Sequence, residues 1–536
     1  MLLNGMKGIL RKLSLVKGNN MNKSACSVFL IGCFLFPLVA WDYLNDLVRI
    51  PGAHTDGDAI NVVVLDSPLK APLLGIGVQF DPFFFSHNVT MGNGASIEDW
   101  DSIIVPRVQS MRIQRYRVCV LPQWWEPYND NDNPFVANDS GFTWDSYDMQ
   151  SLYKLLDLAE ETKAEVNLVL WGCPVGASLS TGGKHIKYIE PWFLSSGRKH
   201  WVTGPKDPEE FAENFVALLI HLIKEKKYTC IKEITPFNEP ESKVVETDMY
   251  IRCFKAIHKR LLDEGLRESI SMIASDNIES NQWFLKACVD SLSGIADIYD
   301  SHLYAFGSKS KKESIKDWEL NNIKIVTPSG KTHFVGEFGT NDTQVEAFET
   351  FERGVQLSRI AIELLNAGAV SVSYWCLDDH FTNTESSYDN MMKSGLWRYI
   401  NKTYSEEAFY SPLDDDYHVR PQYYAYSLLT RFIRKGDVVY PTNINESYIS
   451  SIALKHHEGN WTYFFVNSTI NNYSLLFTNS LSQAERLNVL LYKEEELPLH
   501  GKQITVSNSI EKGNKGVQFV IPSNSITVLE EVFSSF

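Results

Sequence analysis

Two glutamates with unusual neighbours stand out in this 536-residue chain. Glu239 follows the apolar start of ITPFNEPES and lies between Asn238 and Pro240. Glu337 lies further along the chain, in THFVGEFGT. A buried strand normally runs out into turn residues, so a carboxylate at a strand end, fixed in direction by a proline, is suited to chemistry. Two such carboxylates can supply a proton donor that later becomes a base, and a charged nucleophile.

The elements that must position these carboxylates alternate along the chain from about residue 74. Short apolar, β-rich stretches alternate with longer amphipathic ones, which is typical of βα units around a parallel sheet. The eight predicted strands, numbered 1 to 8, are 74–80, 114–121, 165–172, 231–237, 270–275, 296–304, 332–338 and 370–377. Amphipathic helices are predicted to begin near Ile97, Tyr147, Asp207, Glu246, Asn281, Lys312 and Ala347, with a last helix over 420–433.

Eight strands, each followed by a helix, predict an α/β fold of the closed (β/α)8 TIM barrel type over residues 74–434. An open doubly wound sheet is the alternative, but no glycine-rich phosphate loop follows the first strand. Residues 435–536 change to short alternating segments separated by Asn, Gly and Ser, which predict an accessory antiparallel β-sandwich. Residues 41–73 contain INVVVLD, which we expect to add a strand to that sandwich.

Composition limits the partners. The formal net charge of −16 disfavours nucleic acid, because like charges repel. Histidines and aspartates are scattered rather than clustered, so we expect neither a catalytic metal nor another cofactor. Once the N-terminal segment is removed, six cysteines remain without a ligand-type cluster; buried free thiols are expected, and a disulfide is the alternative.

The first forty residues predict export. A Lys, a short apolar run and a small residue follow one another from Met21 to Ala40, the layout of a secretory signal. We expect cleavage near Ala40, although LIGC ending at Cys33 also resembles a lipoprotein box. The mature chain is therefore predicted to be secreted, periplasmic or at the cell surface, without an integral membrane span.

The active site of such a barrel lies at the carboxyl ends of its strands. Carboxylates on strands 4 and 7 face each other there, as cleavage of a glycosidic bond requires. Arg117 and Tyr304 would favour the ionised form of Glu337, whereas an aromatic surround would keep the proton on Glu239. The other candidates are Arg115, Trp124, Trp125, Trp171, Asn238, His302, Trp375, Asp378 and Asp379. Tryptophan rings offer flat apolar faces on which sugars stack.

These motifs resemble those of the retaining glycoside hydrolases whose catalytic glutamates lie on strands 4 and 7, among them families 5, 30 and 39. The similarity spans about residues 74 to 434. YRVCV resembles the arginine motif of strand 2, SHLYAF the His-x-Tyr of strand 6, and SYWCLDD the tryptophan of strand 8. Families 30 and 39 also append a β-sandwich built from both chain ends, which favours them over family 5.

The resemblance implies a role for each matching residue. Glu239 corresponds to the acid/base, Glu337 to the nucleophile, and Asn238 to the residue that holds the substrate 2-hydroxyl. Arg117 corresponds to the arginine that supports the nucleophile, while His302, Tyr304 and Trp375 line the reacting subsite. The implied activity is hydrolysis of β-glycosidic bonds in a polysaccharide or oligosaccharide through a covalent glycosyl-enzyme.

Several alternatives stay open. The same fold can serve a transglycosylase, or a carbohydrate-binding barrel without turnover. Either arginine of strand 2 can be the one in the site, and the other then forms a structural ion pair. His302 can be a hydrogen-bonded strand-end histidine, and the two aspartates after strand 8 can cap the following segment. Four tryptophans can be loop anchors instead of sugar contacts: Trp124, Trp125, Trp192 and Trp201.

Overall fold

The computed structural model describes most of the chain from residue 59 onwards. The described residues are 59–82, 97–131, 133–171, 179–181, 184–186, 204–242, 245–305, 312–340, 345–381, 391–392, 394–398 and 417–532. The predictions for the targeting segment, Cys173, Trp192 and Trp201 lie outside these ranges. Among the described helices, none is long and apolar enough to cross a membrane.

Eight parallel strands close into a barrel, each paired with its neighbours in sequence and the last with the first. The TIM barrel prediction is therefore confirmed, and every predicted strand is found. The strands, again numbered 1 to 8, are Gly75–Gln79, Arg115–Val120, Glu165–Leu170, Ile231–Thr235, Ser271–Asn277, Ile298–Ala305, Thr332–Thr340 and Ser371–Tyr374.

Helices follow the strands and begin close to the predicted starts. The local signals are visible in their caps: the Ser146 side chain accepts from the Met149 N–H, and Asp207 accepts from the first turn of the helix that Pro208 opens. The described α-helices are Ile97–Asp99, Val105–Met111, Tyr147–Thr162, Pro208–Leu219, Thr247–Asp263, Gln282–Leu292, Lys312–Val326, Phe351–Ala367 and Pro421–Phe432; a π-helix, Trp100–Ile104, joins the first two.

The barrel strands are buried on both faces, because helices cover them outside and side chains fill them inside. All six residues of strand 2 are buried, including Arg115 and Arg117. A buried charge must find a counter-charge and hydrogen-bond partners, so the polar residues inside these strands have to be paired with one another. The described cysteines fit the same environment: Cys119, Cys230, Cys253, Cys288 and Cys376 are buried free thiols.

A second lobe consists of two facing sheets. One has six antiparallel strands: Val438–Tyr440, Ile449–Lys455, Trp461–Asn467, Ser525–Glu531, Arg486–Tyr492 and Asn508–Glu511. In the other, the N-terminal strand Ile60–Val64 lies antiparallel to Thr442–Asn443 and parallel to Tyr473–Thr478, which pairs with Val517–Ile521. All described strand pairs of the two sheets are antiparallel except one. The exception is the parallel pair of Ile60–Val64 with Tyr473–Thr478, which joins the N-terminal strand to the C-terminal segment.

Strand 6 of the barrel lies between two irregular partners. Its register with strand 5 shifts between Ser275 and Asn277, and its register with strand 7 shifts between Val335 and Glu337. Each shift inserts one residue, Asp276 or Gly336, that has no partner in the regular ladder. Such bulges re-aim the side chains beside them, and both lie at the edge where the candidate carboxylates are found.

Candidate active site

The two glutamates predicted from the sequence meet at the barrel mouth. One oxygen of Glu239, one of Glu337 and a ring nitrogen of His302 lie within 4.8 Å of one another. The Glu337 side chain is 5% exposed, whereas that of Glu239 is 23% exposed. The Glu337 carboxylate is therefore buried, whereas the Glu239 carboxylate is partly exposed to solvent.

Glu337 is fixed by two donors. Arg117 donates from Nη1 to its Oε1 at 2.6 Å, and the Tyr304 hydroxyl donates to its Oε2 at 2.6 Å. Burial raises the pKa of Tyr304 well above its ordinary value, and the neighbouring Glu337 charge adds to this. Tyr304 thus remains a donor at neutral pH, and the two contacts fix the orientation of the Glu337 carboxylate.

Glu239 has a histidine and a serine among its hydrogen-bond partners. His302 Nδ1 lies 2.9 Å from Oε1 of Glu239, and the Ser242 hydroxyl lies 3.4 Å from Oε2. The backbone of Glu239 is left-handed, with φ of +44°, and its N–H donates to the Asp276 carbonyl at 3.2 Å. A residue with a side chain occupies this conformation only where its surroundings hold it, as is common at functional sites.

Arg117, and not Arg115, reaches Glu337. Besides Glu337, its guanidinium donates to Gln79 Oε1 at 2.7 Å, to Asn238 Oδ1 at 2.7 Å and to Asp276 Oδ2 at 2.8 Å. Burial opposes its charge, but Asp276 and Glu337 outweigh burial and keep the pKa of Arg117 well above the ordinary value. The guanidinium is thus the fixed cation around which the site is assembled.

Arg115 forms the structural ion pair that was the alternative for one of the two arginines. Its guanidinium donates to both carboxylate oxygens of Glu233, at 2.9 and 2.5 Å. Both side chains are buried, so the bidentate geometry satisfies charges that the interior would otherwise penalise. Strand 2 therefore carries one arginine for structure and one for the site.

His302 connects the site to a residue that sequence reasoning missed. Its Nε2 lies 3.1 Å from Oδ1 of Asp276, while its Nδ1 faces both Glu239 and Glu337, the latter at 3.5 Å. Burial lowers the pKa of His302, but the carboxylates of Glu337 and Asp276 outweigh it and raise that pKa well above the ordinary value. Both ring nitrogens therefore donate to carboxylates, as an imidazolium does.

The tryptophans divide into two pairs. Trp171 and Trp375, from the ends of strands 3 and 8, meet edge to face with ring centroids 5.8 Å apart. Trp125 is fully buried and donates its indole N–H to the Asn214 carbonyl at 3.0 Å, and Trp124 is buried beside it. The burial of Trp125 and its bond to the Asn214 carbonyl agree with the alternative of a loop anchor, and its contact with sugar stays a prediction.

Sequence reasoning also missed Gln79 and Asp81, at the end of strand 1. Gln79 bridges Arg117 and Asp81, and Asp81 accepts from the Cys119 N–H at 2.7 Å. Burial raises the pKa of Asp81 to about 7. The signal that could have found them is the polar pair in VQFDP, at the same strand-end position as the selected residues.

Asp379, one of the two aspartates after strand 8, forms a buried ion pair with Arg420. Asp379 accepts from both terminal nitrogens of Arg420, at 2.7 and 2.8 Å, and from the Gly395 N–H at 2.9 Å. Arg420 also donates to Glu349 at 2.8 Å. These contacts join the segment around residue 395 to the start of the last barrel helix.

Two groups of donor atoms are close enough to surround a cation. They are Glu239 with His302 and Glu337, and Asp276 with Asp300 and His302, each group lying within 4.8 Å. Arg117 already supplies a positive charge to Glu337 and Asp276. The carboxylates therefore have a counter-ion within the chain, and we assign no metal to either group.

Comparison with known proteins identifies the fold. No protein-family model matches the chain, and no curated protein matches it. Among solved structures, the GH30 endoxylanase from Clostridium papyrosolvens C71 has a TM-score of 0.59 at 11% identity, over 88% of this chain and 100% of that one. The catalytic domain of GH30 xylanase C from Talaromyces cellulolyticus has 0.59 at 13%, over 88% and 100%.

An endo-β1,6-glucanase is similar to the same degree, with a TM-score of 0.58 at 15% identity over 90% of this chain and 95% of that one. At such identities the likeness establishes the fold, a barrel with an accessory β-sandwich. The fold implied by the resemblance to family 30 is therefore confirmed.

Proposed function

We propose that this chain is a retaining glycoside hydrolase that cleaves β-glycosidic bonds in a polysaccharide or oligosaccharide. The observation that carries the proposal is the approach of the Glu239 and Glu337 carboxylates to within 4.8 Å at the ends of strands 4 and 7. Retaining enzymes hold their carboxyl groups about 5 to 5.5 Å apart, whereas inverting enzymes need about 6.5 to 9.5 Å for an intervening water.

The two carboxylates take different roles because their neighbours differ. Glu337, ionised and oriented by Arg117 and Tyr304, attacks the anomeric carbon and forms the glycosyl-enzyme. Glu239 accepts the His302 N–H on Oε1, so its own proton resides on Oε2 and passes to the leaving oxygen. The same group, now a base, takes a proton from the water that releases the sugar.

Substrate contacts follow from the same geometry. Asn238, whose Oδ1 accepts from Arg117, binds the 2-hydroxyl of the reacting sugar, and Trp171 with Trp375 forms the apolar wall against which the sugar packs. The xylanases and the glucanase of similar fold support a β-linked glycan as substrate. Such polymers lie outside cells, in agreement with the export that the N-terminal segment predicts. Residues 74–434 form the catalytic domain in this proposal, and 435–536 the accessory one.

Trapping of the glycosyl-enzyme tests this proposal. A panel of aryl β-glycosides first identifies the sugar, and the matching 2-deoxy-2-fluoro glycoside with a good leaving group then inactivates the enzyme. We expect mass spectrometry to locate one sugar on Glu337, and Glu337→Gln to form no adduct. NMR of early products should show the β-anomer. An adduct at another residue, an inverted product or full activity of Glu337→Gln would refute the assignment.

A further inference from the structure

Two aspartates that the proposed mechanism does not use lie directly behind the glutamates. Asp276 on strand 5 and Asp300 on strand 6 are both fully buried. One oxygen of each carboxyl group and a ring nitrogen of His302 lie within 4.8 Å of one another. Two ionised carboxylates this close in a buried site repel each other, so the arrangement favours a proton on one of the two groups.

The other contacts of the pair decide which group is protonated. Both oxygens of Asp276 already accept, from Arg117 Nη2 at 2.8 Å and from His302 Nε2 at 3.1 Å. Asp300 accepts only the Gly336 N–H, at 2.6 Å, and its Oδ2 meets no N–H donor among the described residues. Two cations thus stabilise charge on Asp276, while Asp300 has a single neutral donor.

The electrostatic environment agrees with this division. Burial raises the pKa of Asp300 well above its ordinary value, and the neighbouring Asp276 charge adds to this. Burial also opposes the ionisation of Asp276, but Arg117 and His302 outweigh it and lower that pKa. Tyr250 is a further titratable group beside Asp276, and its hydroxyl accepts from the Ser275 N–H.

Backbone geometry gives the pair a second connection to the site. Asp276 occupies the bulge of strand 5, with φ of +53°, and Gly336 occupies the bulge of strand 7 directly before Glu337. Asp300 lies on the strand between them and contacts both. A Cβ atom at position 336 would lie 1.9 Å from Asp300 Oδ2, so this contact requires glycine.

We propose that Asp276 and Asp300 share one proton, held on Asp300, and act as a positioning pair for both catalytic glutamates. Asp276 acts through Arg117, which orients Glu337, and through His302, which orients Glu239. Asp300 acts through the Gly336 backbone. The proposal rests on the proposed function for what is positioned, but the location of the proton is independent of it.

Charge balance supports the arrangement. Arg117 and His302 bring two positive charges, which Asp276 and Glu337 neutralise. With Asp300 neutral, the buried cluster has no net charge when Glu239 is protonated and ready to act as an acid. An ionised Asp300 would add a buried charge without a counter-ion, which the interior penalises strongly.

Matched amide variants test the pair. Asn resembles a protonated acid, since it offers a carbonyl to the Gly336 N–H and an N–H to Asp276, so Asp300→Asn should keep kcat within about threefold of wild type and an unchanged pH profile. Asp276→Asn should lower kcat by about a hundredfold through misplaced glutamates. Its alkaline limb should move to lower pH, because His302 loses an anionic neighbour.

Infrared spectroscopy locates the proton without any turnover. The difference spectrum between wild type and Asp300→Asn at neutral pH should contain the carbonyl band of one protonated carboxyl group. Absence of that band, or inactivity of a folded Asp300→Asn with Glu337 still labelled by the fluorosugar, would overturn the pair. Absence of any glycosidase activity in wild type, with the band present, would instead refute the proposed function and the positioning role while leaving the shared proton in place.

Discussion

The Tyr304 hydroxyl lies 2.6 Å from Oε2 of Glu337 and donates its hydrogen to that carboxylate. Tyr304→Phe removes this donor and little else, because the ring is kept. Hydrogen bonds to charged groups contribute about 1.5 to 3 kcal/mol, so we expect kcat/KM to fall about ten- to a hundredfold. Steady-state kinetics on an aryl β-glycoside measures the effect.

Tyr299 on the same strand provides the matched control. Its neighbours Cys288 and Asp290 belong to the helix Gln282–Leu292, and neither is one of the glutamates of the site. Tyr299→Phe should therefore leave kcat/KM unchanged. Equal losses in the two variants would mean that the strand, and not the bond to Glu337, sets the rate.

Replacement of Glu239 should have an effect that depends on the leaving group. An aryl glycoside with an acidic phenol leaves without proton donation, so in Glu239→Ala the first step should stay fast and the second, which needs a base, should become slow. A substrate with a poor leaving group should lose about 10²- to 10⁴-fold, the usual contribution of general acid catalysis. Added azide should restore turnover and give a glycosyl azide with the β configuration.

Azide replaces the water that Glu239 would activate and needs no base, so the stereochemistry of this product also reports the mechanism. An α-linked azide, or equal losses for good and poor leaving groups, would be inconsistent with Glu239 as the acid/base.

The barrel could be predicted from the sequence because strands covered on both faces appear as apolar runs at regular intervals. The same count placed Glu239, His302 and Glu337 near the carboxyl ends of strands 4, 6 and 7, and the three side chains meet in the structure. Asp276 could not be predicted in this way. It occupies a bulge, and a bulge breaks the alternation on which assignment of inward-facing residues depends.

Loop residues show a different limit of sequence reasoning. Trp125 has the residue type of a sugar contact and follows a strand end, yet it packs inward and donates to the Asn214 carbonyl of a neighbouring helix. That contact joins elements far apart in the sequence, and no local pattern encodes it. The choice between Arg115 and Arg117 depended equally on tertiary partners, Glu233 in one case and Glu337 in the other.

The Arg115 ion pair should matter for stability and not for catalysis. Arg115→Ala leaves Glu233 as an unpaired buried carboxylate, which costs about 3 to 5 kcal/mol. We expect the free energy of unfolding in urea to fall by about that amount, with kcat unchanged in the folded fraction. A double variant that combines Arg115→Met with Glu233→Leu removes both charges of the pair. Most of the lost free energy of unfolding should therefore return in this variant. A double variant as unstable as the single one would contradict this explanation.

Asp81 should make stability depend on pH. Burial raises the pKa of its carboxyl from the ordinary 3.8 to about 7. Between these pH values the folded protein holds a proton that the unfolded chain has released, so the contribution of Asp81 to the free energy of unfolding falls as the pH rises. A change of this size in pKa corresponds to a loss of about 4 kcal/mol, complete above the folded-state pKa.

Asp81→Asn isolates this contribution, because Asn cannot ionise and keeps the oxygen that accepts the Cys119 N–H. We expect the stability of the variant relative to wild type to rise steadily from about pH 4 to about pH 7 and then to level off. Urea unfolding at a series of pH values measures both proteins. Other buried carboxyl groups, such as Glu126, titrate equally in wild type and in Asp81→Asn. Their contributions therefore cancel in the difference between the two free energies of unfolding. Parallel stability profiles would show that Asp81 is already ionised near pH 4 and that burial does not hold its proton.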